Sequence, residues 1–337
     1  MEPLNNINKL SAQSITYLQL SVAPSTRRQY LNCFNRFVQF CRIHNLQMFP
    51  LHQQNLILFI TSISNVSYSS LKIHLAAIKY QAEVHGYSIP NNSLHRLYLL
   101  LRGIKRSQGN RNKKPKRLPI TPTLLKAMLK NLFNSSRSYI DKIMIRSAFL
   151  TAFFGFLRVS EYTSLHVRSF DPETTLTLQD LKIKNCNHKQ VIEINIKSSK
   201  TDPFRSGALI KLTPNYTELC PVKALLHLIH HHPLKSGPLF TFNNNKYLTR
   251  RELSNIMKEL LPNNISNISS HSFRIGAATT AAAAGFPRWL IQSLGRWSSD
   301  CFRDYLRIPN ETLHNVSKLL SQMNVNSSAA YDPDNFS

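Results

Sequence analysis

Over most of its length this chain spaces its apolar residues as helices do, but between residues 176 and 212 they alternate with polar ones. The segments LTLQDLKI, VIEINIK and GALIKL in this stretch are rich in β-branched side chains, which is typical of strands. The segment SSKTDPFRSG is predicted to be the turn between the last two strands. Helices with one small antiparallel sheet inserted predict a mainly α fold of the α+β class.

A length of 337 residues is too long for one ordinary domain and suits two. We predict a helical domain at 14–107, a basic linker at 108–117, a second domain at 118–323 and a disordered tail at 324–337. The first domain is predicted to hold three helices, of which the first is capped by Ser25 or Thr26 and the third stops at Gly86. Helices are also predicted around 122–133 and 138–157.

The charge of the chain is strongly positive and unevenly placed. There are 42 lysines and arginines against 17 acids, and residues 1–140 contain only two of those acids, Glu2 and Glu83. A folded domain with almost no carboxylates lacks internal partners for its cations, so its natural counterion is a polyanion, most commonly nucleic acid. An anionic membrane is the rival partner, but no basic amphipathic helix with a wide aromatic face supports it.

The cations of the first predicted domain lie off the apolar stripes of its helices and are not interleaved with acids. A solvated helix face is the alternative interpretation, and we favour a surface that faces DNA. The residues predicted to contact double-stranded DNA are Arg27, Arg28, Arg36, Lys72, Lys79, Arg106, Lys113, Lys114, Lys116 and Arg117.

The stretch from Arg102 to Arg117, RGIKRSQGNRNKKPKR, carries eight cations and no acid. It is predicted to be extended and to follow phosphates, and its residues 113–117 also fit a nuclear import signal. A charged linker without a function is the alternative. We therefore expect a nuclear protein if the source is eukaryotic and a cytoplasmic one otherwise.

Several classes of protein and site find no support in the sequence. No apolar run of about 18 residues predicts a membrane span, and the first residues do not resemble a secretory signal. The five cysteines form no Cys-x-x-Cys pair, so we expect reduced thiols rather than disulfides or zinc ligands. The run His230–His232 has no Cys or carboxylate at ligand spacing, which favours a surface cluster at a helix end over a metal site. We expect no cofactor and no small-molecule substrate.

The residues of the second domain that carry chemistry are cations and one tyrosine, since it has no phosphate-binding glycine loop, His-Glu-x-x-His or Gly-x-Ser-x-Gly. Arg158 follows an apolar helix in GFLRVSEYTSL. Burial there requires an anion, so Arg158 is either paired with Glu161 or directed at a ligand. Lys200 is predicted at the tip of the strand turn, where a mobile ammonium can enter a groove; a solvated lysine is the alternative.

His271 and Arg274 lie three residues apart in SSHSFRIGAATTAAAAG, a helix that Ser269 or Ser270 is predicted to cap. Both side chains are predicted to project from one face of its first turn, where open backbone N–H groups favour a phosphate. A capped helix with an incidental His and Arg is the alternative.

In LGRWSSDCFRDYLR, Trp297 ends one segment and Tyr305 lies in the short helix predicted to follow, with Ser298 or Ser299 as its cap. Taken singly, both aromatic residues also fit a hydrophobic core. The position of Trp297 and Tyr305 in the chain, after the cations of the second domain, favours a functional role over burial in a core.

Together these pieces resemble the phage-integrase family of tyrosine recombinases: an Arg-x-x-Glu after a buried helix, a Ser-Lys-Thr strand turn, a His-x-x-Arg helix, a Gly-x-Trp and a late Tyr. Residues 14–107 are similar to the family's helical core-binding domain and residues 118–323 to its catalytic domain. The phrase GRWSSDCFRDYLR is most similar to recombinases of eukaryotic mobile elements, such as Crypton and DIRS-like transposons. The residues at the family's catalytic positions are Arg158, Lys200, His271, Arg274, Trp297 and Tyr305.

The resemblance implies a site-specific recombinase or integrase that cleaves and rejoins DNA through a 3′-phosphotyrosine, as a homotetramer on two DNA sites. Arg158 and Arg274 would clamp the non-bridging oxygens of the attacked phosphate, where negative charge grows. His271 would accept the proton of Tyr305, a phenol of pKa about 10, and Lys200 would protonate the leaving 5′ oxygen. Because the phosphotyrosine bond conserves the energy of the broken linkage, neither ATP nor metal is needed.

Trp297 is the position at which this chain departs from many relatives. It stands where they carry His, and its indole N–H would donate to the phosphate. It lies eight residues before Tyr305, one fewer than in many bacterial and phage members.

Two other functions remain open at this point. A catalytically silent DNA-binding protein derived from a mobile-element recombinase is the first, although all six family positions are occupied. A type IB topoisomerase shares the chemistry, but the small basic helical domain ahead of the catalytic one favours recombination. The segment ETLHNVSKLLSQM has an apolar face that is predicted to dock on a neighbouring protomer.

Overall fold

The structure, a computed structural model, describes residues 2–87, 94–109, 115–186, 188–199, 202, 206–234, 236–263, 265–299 and 302–303. Within these ranges the chain is mainly helical with one small antiparallel sheet, so the predicted fold class is confirmed. The chain separates into two units, Met1–Lys114 and Pro115–Ser337. No helix in the described ranges is long and apolar enough to cross a membrane.

The residues that the structure describes in the first unit form five helices around one core. They are α1 (Glu2–Leu20), α2 (Pro24–Ile43), α3 (Gln53–Ser62), α4 (Tyr68–Val84) and α5 (His95–Gln108). Helices α2 and α4 pack along each other, and α3 and α5 complete the core. Phe37, Leu56 and Ile78 are fully buried, so the predicted apolar stripes face inward and leave the cations of these helices toward the surface.

One prediction for the first unit is wrong in detail. Helix α2 begins at Pro24 with Ala23 as its N-cap, and neither Ser25 nor Thr26 caps it. Proline suits the first helical position because its φ is already helical and its missing N–H has no partner to lose there. Helix α1 was not predicted, and it begins well before residue 14.

Helix α5 corrects the prediction of an extended basic stretch that starts at Arg102. Leu97, Leu101 and Ile104 are buried on one side of this helix, at helical spacing, and this apolar stripe folds the segment through Gln108. Arg102 and Arg106 are therefore exposed on a helix.

The described part of the second unit contains seven helices around a larger core. They are α6 (Pro122–Asn134), α7 (Tyr139–Phe154), α8 (Val159–Tyr162), α9 (Pro221–His230), α10 (Arg250–Leu260), α11 (Ser272–Ala283) and α12 (Arg288–Gly295). Helix α7 is central: nearly all of its side chains from Ile143 to Phe153 are buried, and it packs against α9 and α11.

The sheet has strands β1 (Leu181–Cys186), β2 (Lys189–Ile196) and β3 (Ala208–Leu212), with β2 in the middle and both pairings antiparallel. The first predicted strand was too long, because residues 178–180 form a 3-10 turn instead. The carboxylate of Asp180 accepts from the amide and the hydroxyl of Thr177 at 2.8 and 2.7 Å, which closes that turn.

Backbone hydrogen bonds join the start of the second unit to the segment that leads into α11. The amide of Leu118 donates to Asn267 O at 3.2 Å, and the amide of Ile120 donates to Ser272 O at 3.0 Å. Gly276 makes this approach possible, since a Cβ at that position would lie 1.9 Å from Ile120 O. Residues 118–120 therefore lie directly against α11.

Candidate active site

Arg158 is placed by an abrupt end of α7. The helix ends at Phe154, three residues earlier than predicted, and Phe156 then takes a left-handed backbone conformation with φ of 50°. Such backbone costs a bulky residue on the order of 1–3 kcal/mol, so surrounding contacts must hold it. Arg158 becomes the N-cap residue of α8, and its side chain is 12% exposed.

Glu161 is the carboxylate at the centre of the site, and its side chain is fully enclosed. Its Oε1 accepts from Nη1 of Arg158 at 3.0 Å and from the hydroxyl of Ser199 at 2.8 Å. Its Oε2 accepts from the amide of Arg158 at 2.8 Å and from Nη2 of Arg296 at 2.7 Å. Of the two alternatives for Arg158, the structure shows the pairing with Glu161.

The pKa of Glu161 reflects these donors. Burial raises the pKa of this carboxyl, but the charge of Arg296, the amide and the charge of Arg158 and the hydroxyl of Ser199 together hold it below its ordinary value. Glu161 is therefore a fixed anion, and it orients the guanidinium groups on either side of it.

Arg274 lies in the first turn of α11 and is fully buried. Its Nη1 donates to the carbonyl of Phe156 and its Nη2 to the carbonyl of Gly295. Its Cζ lies 4.1 Å from the centre of the Trp297 ring, which is a cation–π contact. Gly295 is required because a Cβ there would lie 1.6 Å from the Trp297 ring. In this structure the guanidinium is thus enclosed by protein rather than exposed to a ligand.

His271 precedes the first turn of α11, which corrects the prediction that His271 and Arg274 project from one face of that turn. It is the N-cap residue, and neither Ser269 nor Ser270 caps the helix. The Ser269 hydroxyl instead accepts from the amide of His271 at 3.3 Å.

The imidazole of His271 is half-buried and surrounded by cations. Burial, followed by the charges of Arg274, Arg117, Arg158 and Arg250, lowers its pKa to about 4. His271 is therefore neutral at neutral pH.

Lys200 and Tyr305 lie outside the described residues, so their places in the site stay predictions. Their chain neighbours are described. Ser199, directly before Lys200, accepts from Nη1 of Arg158 at 2.7 Å. Phe302 is buried, and its ring centre lies 6.1 Å from that of Trp297.

The sequence reasoning missed Arg296. Its guanidinium is 16% exposed and reaches Glu161 and the carbonyls of Gly155 and Phe156. A signal for it was present, because Arg296 follows an apolar segment just as Arg158 does, and the cost of burying a lone cation applies equally to both.

The cluster has an excess of positive charge at neutral pH. Two guanidinium groups, those of Arg158 and Arg296, bind one carboxylate. A third, that of Arg274, shares the Phe156 carbonyl with Arg296, and the nearby imidazole is neutral. Donors fixed in this way suit a phosphodiester and the negative charge that grows on it during attack. Among the described residues, no group of His, Cys, Asp and Glu is arranged to hold a metal ion.

The residues predicted to contact DNA lie mostly at the surface of their own unit. Arg28, Arg36, Lys72, Arg106, Lys116 and Arg117 are exposed, Arg27 and Lys79 are half-buried, and Lys113 and Lys114 lie outside the described residues. Arg28 and Arg36 line a groove of about 400 Å³ between α2 and α4, together with Gln29, Asn32 and His74. Its described lining contains no carboxylate.

Comparison with known proteins identifies the fold. No protein-family model and no curated protein matches the chain. The XerH site-specific recombinase bound to palindromic difH substrate is 16% identical, with a TM-score of 0.58 over 88% of this chain and 80% of that one. The Tn1549 transposon integrase in complex with circular intermediate DNA is 15% identical, with a TM-score of 0.57 over 92% of this chain and 98% of that one. A lambda integrase dimer bound to a COC′ core site is 12% identical, with a TM-score of 0.54 over 91% of this chain and 81% of that one. This chain therefore has the tyrosine recombinase fold.

Proposed function

We propose that this chain is a site-specific DNA recombinase or integrase, which cleaves and rejoins double-stranded DNA through a covalent bond between Tyr305 and a 3′ phosphate. The observation that carries the proposal is a group of arginines from distant parts of the sequence in a chain of this fold. Arg158 and Arg296 bind Glu161, and Arg274 and Arg296 share the Phe156 carbonyl. No metal or nucleotide takes part in the proposed reaction.

The arginines stabilise the attacked phosphate. The guanidinium of Arg158 is partly open to solvent and is oriented by Glu161, so it can bind a non-bridging oxygen without first being ordered. Arg274 contributes its positive charge to the site from a buried position. The buried Trp297 ring holds Arg274 from one side.

The proton transfers balance within the site. The Tyr305 oxygen forms a bond to phosphorus as its proton passes to the neutral imidazole of His271. The bond from phosphorus to the 5′ oxygen breaks, and Lys200 gives that oxygen a proton. Rejoining is the reverse, in which a 5′ hydroxyl attacks the phosphotyrosine and both protons return.

The finer aspects of the proposal concern partners and location. We propose that the first unit binds DNA through its exposed cations and that four copies assemble on two DNA sites. We further propose a relationship to recombinases of eukaryotic mobile elements such as Crypton and DIRS-like transposons, in which case residues 113–117 direct the protein to the nucleus.

Covalent trapping tests the reaction. Duplex DNA is first selected for binding from a randomised pool, and the selected sequences are then nicked at successive positions so that cleavage releases a short fragment and cannot reverse. We expect a protein–DNA adduct that resists denaturation, and we expect Tyr305→Phe to abolish it.

Tyr331→Phe is the matched control, and it should form the adduct at the wild-type rate. An adduct that persists in Tyr305→Phe would show that another residue is the nucleophile. Specific binding without an adduct on any substrate would favour the catalytically silent DNA-binding protein. Relaxation of a supercoiled plasmid that lacks the selected sequence would favour a topoisomerase.

A further inference from the structure

Arg296 has an unusual backbone for its residue type. It follows α12 as its C-cap residue with φ 53° and ψ 48°, the left-handed conformation that glycine adopts without cost. Phe156, on the other side of the site, is left-handed as well, with φ 50°. Strained residues persist only where surrounding contacts determine them, and here the two share a contact.

The side chain of Arg296 joins the two turns in which these residues lie. Its Nη1 donates to Gly155 O at 3.1 Å, and its Nη2 donates to Phe156 O at 3.3 Å and to Glu161 at 2.7 Å. In the other direction, Nη2 of Arg158 lies 3.5 Å from Arg296 O. The contacts therefore run both ways between residues 155–161 and residues 294–297.

These two turns also hold Arg158 and Arg274, the arginines that we propose stabilise the attacked phosphate. The Phe156 carbonyl accepts from Arg274 as well as from Arg296, and the Gly295 carbonyl accepts from Arg274. Glu161 accepts from both Arg158 and Arg296. A shift of one turn against the other would move both arginines.

We propose that Arg296 is a positioning residue for DNA cleavage, which fixes Arg158 and Arg274 relative to each other by cross-linking the two turns that hold them. This inference rests on the proposed function of the site. Arg296 does not need to touch DNA for this role, since its two terminal nitrogens already donate to acceptors within the protein. Arginine is required rather than lysine because one planar group must reach several acceptors at once.

The test is Arg296→Gly, which removes the guanidinium and accepts the left-handed backbone without strain. Adduct formation is measured in single turnover on the selected, nicked duplex at saturating DNA, with the dissociation constant and the melting temperature measured in parallel. Arg288→Ala is the control, because it removes an exposed arginine from the same helix.

We expect the saturated adduct rate of Arg296→Gly to fall about 10- to 100-fold, the usual effect of misplacing catalytic groups by about an ångström. Affinity for DNA should stay within about threefold of wild type, and Arg288→Ala should keep the wild-type cleavage rate.

Methylguanidinium in solution should restore part of the cleavage rate to Arg296→Gly, because it can bind where the guanidinium group was removed. The rates are compared at a temperature at which the melting curve shows Arg296→Gly to be fully folded, so that stabilisation of the fold by the bound ion does not account for the recovery.

A wild-type adduct rate in Arg296→Gly overturns the inference and leaves the recombinase proposal intact. So does a rate loss that tracks only the unfolded fraction and ignores methylguanidinium. Failure of the wild-type protein to form any adduct overturns the proposed function, and the role of Arg296 with it.

Discussion

The two units differ in the surroundings of their cations. In the described part of the first unit, Glu83 is the one carboxylate whose side chain is described; it is exposed, and no ion pair is found. Arg28 and Arg36 therefore stand at the surface without an internal counterion. In the second unit, Arg158 and Arg296 are largely enclosed and share the buried carboxylate of Glu161.

The difference shows how one residue type serves two purposes. Exposed cations without partners repel one another and favour any polyanion, with a strength that falls as salt rises. Enclosed cations held by a carboxylate and by carbonyls gain little from long-range attraction, but their direction is fixed before a substrate arrives. The first arrangement suits capture of DNA and the second suits chemistry on one phosphate.

Removing the shared carboxylate should have the largest effect. Glu161→Ala leaves Arg158 and Arg296 buried beside each other without an anion, and we expect a loss of about 3–5 kcal/mol in the free energy of unfolding. Urea denaturation measures it. Glu83→Ala, the matched change in the first unit, should alter stability by no more than about 0.5 kcal/mol. Equal effects of the two changes would contradict the contrast between the units.

Two glycine substitutions, one in each unit, compare how tightly the two units are packed at these positions. Gly295→Ala drives a methyl group into the Trp297 ring, and overpacking of this kind costs about 1–3 kcal/mol. Gly103→Ala, in α5 of the first unit, meets no atom within 4 Å and should stabilise the protein by about 0.5–1 kcal/mol through its helix propensity. Thermal unfolding of both variants checks the signs, and a stabilised Gly295→Ala would show that Trp297 can move away freely.

The exposed cations of the first unit should govern the salt dependence of DNA binding. Arg28→Ala and Arg36→Ala should each lower the slope of log affinity against log salt by about one, with no loss of folding stability. Titration of the selected duplex at several salt concentrations measures the slope. An unchanged slope in both variants would mean that this face does not meet the phosphates.

The titration of His271 should make the stability of the protein depend on pH. The pKa of His271 is about 4 in the folded protein and about 6.5 in an unfolded chain, so between these values the unfolded chain binds more protons. Stability from this group is thus complete above about pH 6.5 and falls as the pH drops toward 4. The free energy of unfolding of the wild type should decline relative to His271→Asn over that window. Parallel curves for the two proteins would indicate that His271 is not buried among cations.

The sequence was sufficient for the fold class because helical spacing and strand alternation are local properties of the chain. It failed where a distant contact decides the local structure. Helix α7 was predicted to continue to residue 157, but it ends at Phe154 so that the Phe156 carbonyl can face Arg274 and Arg296. The N-terminal position of His271 was likewise missed, because Ser269 looks like a cap in the sequence and binds the His271 amide instead.

The part of the candidate site that depends only on residue type and order could be predicted from the sequence. The cost of burying a lone cation singled out Arg158 and left two alternatives, pairing with Glu161 or contact with a ligand. The structure shows the pairing. The reach of Arg296 across the site could not be predicted, since its partners lie at least 135 residues earlier in the chain. Nor could the enclosure of Arg274 be anticipated, because it depends on Trp297 and on two carbonyl groups from different turns.

The fastening of residues 118–120 to α11 has a mechanical consequence. Tension that enters the chain at Pro115 first meets the side-chain amide of Asn267, which donates to the carbonyls of Pro115 and Lys116 at 3.2 and 2.8 Å. It then passes through the backbone hydrogen bonds of Leu118 and Ile120. At Gly276 the two backbones touch directly, so the load is delivered to the end of the helix that carries Arg274. A pull on residues 115–117 would therefore act on the first turns of α11, where Arg274 lies.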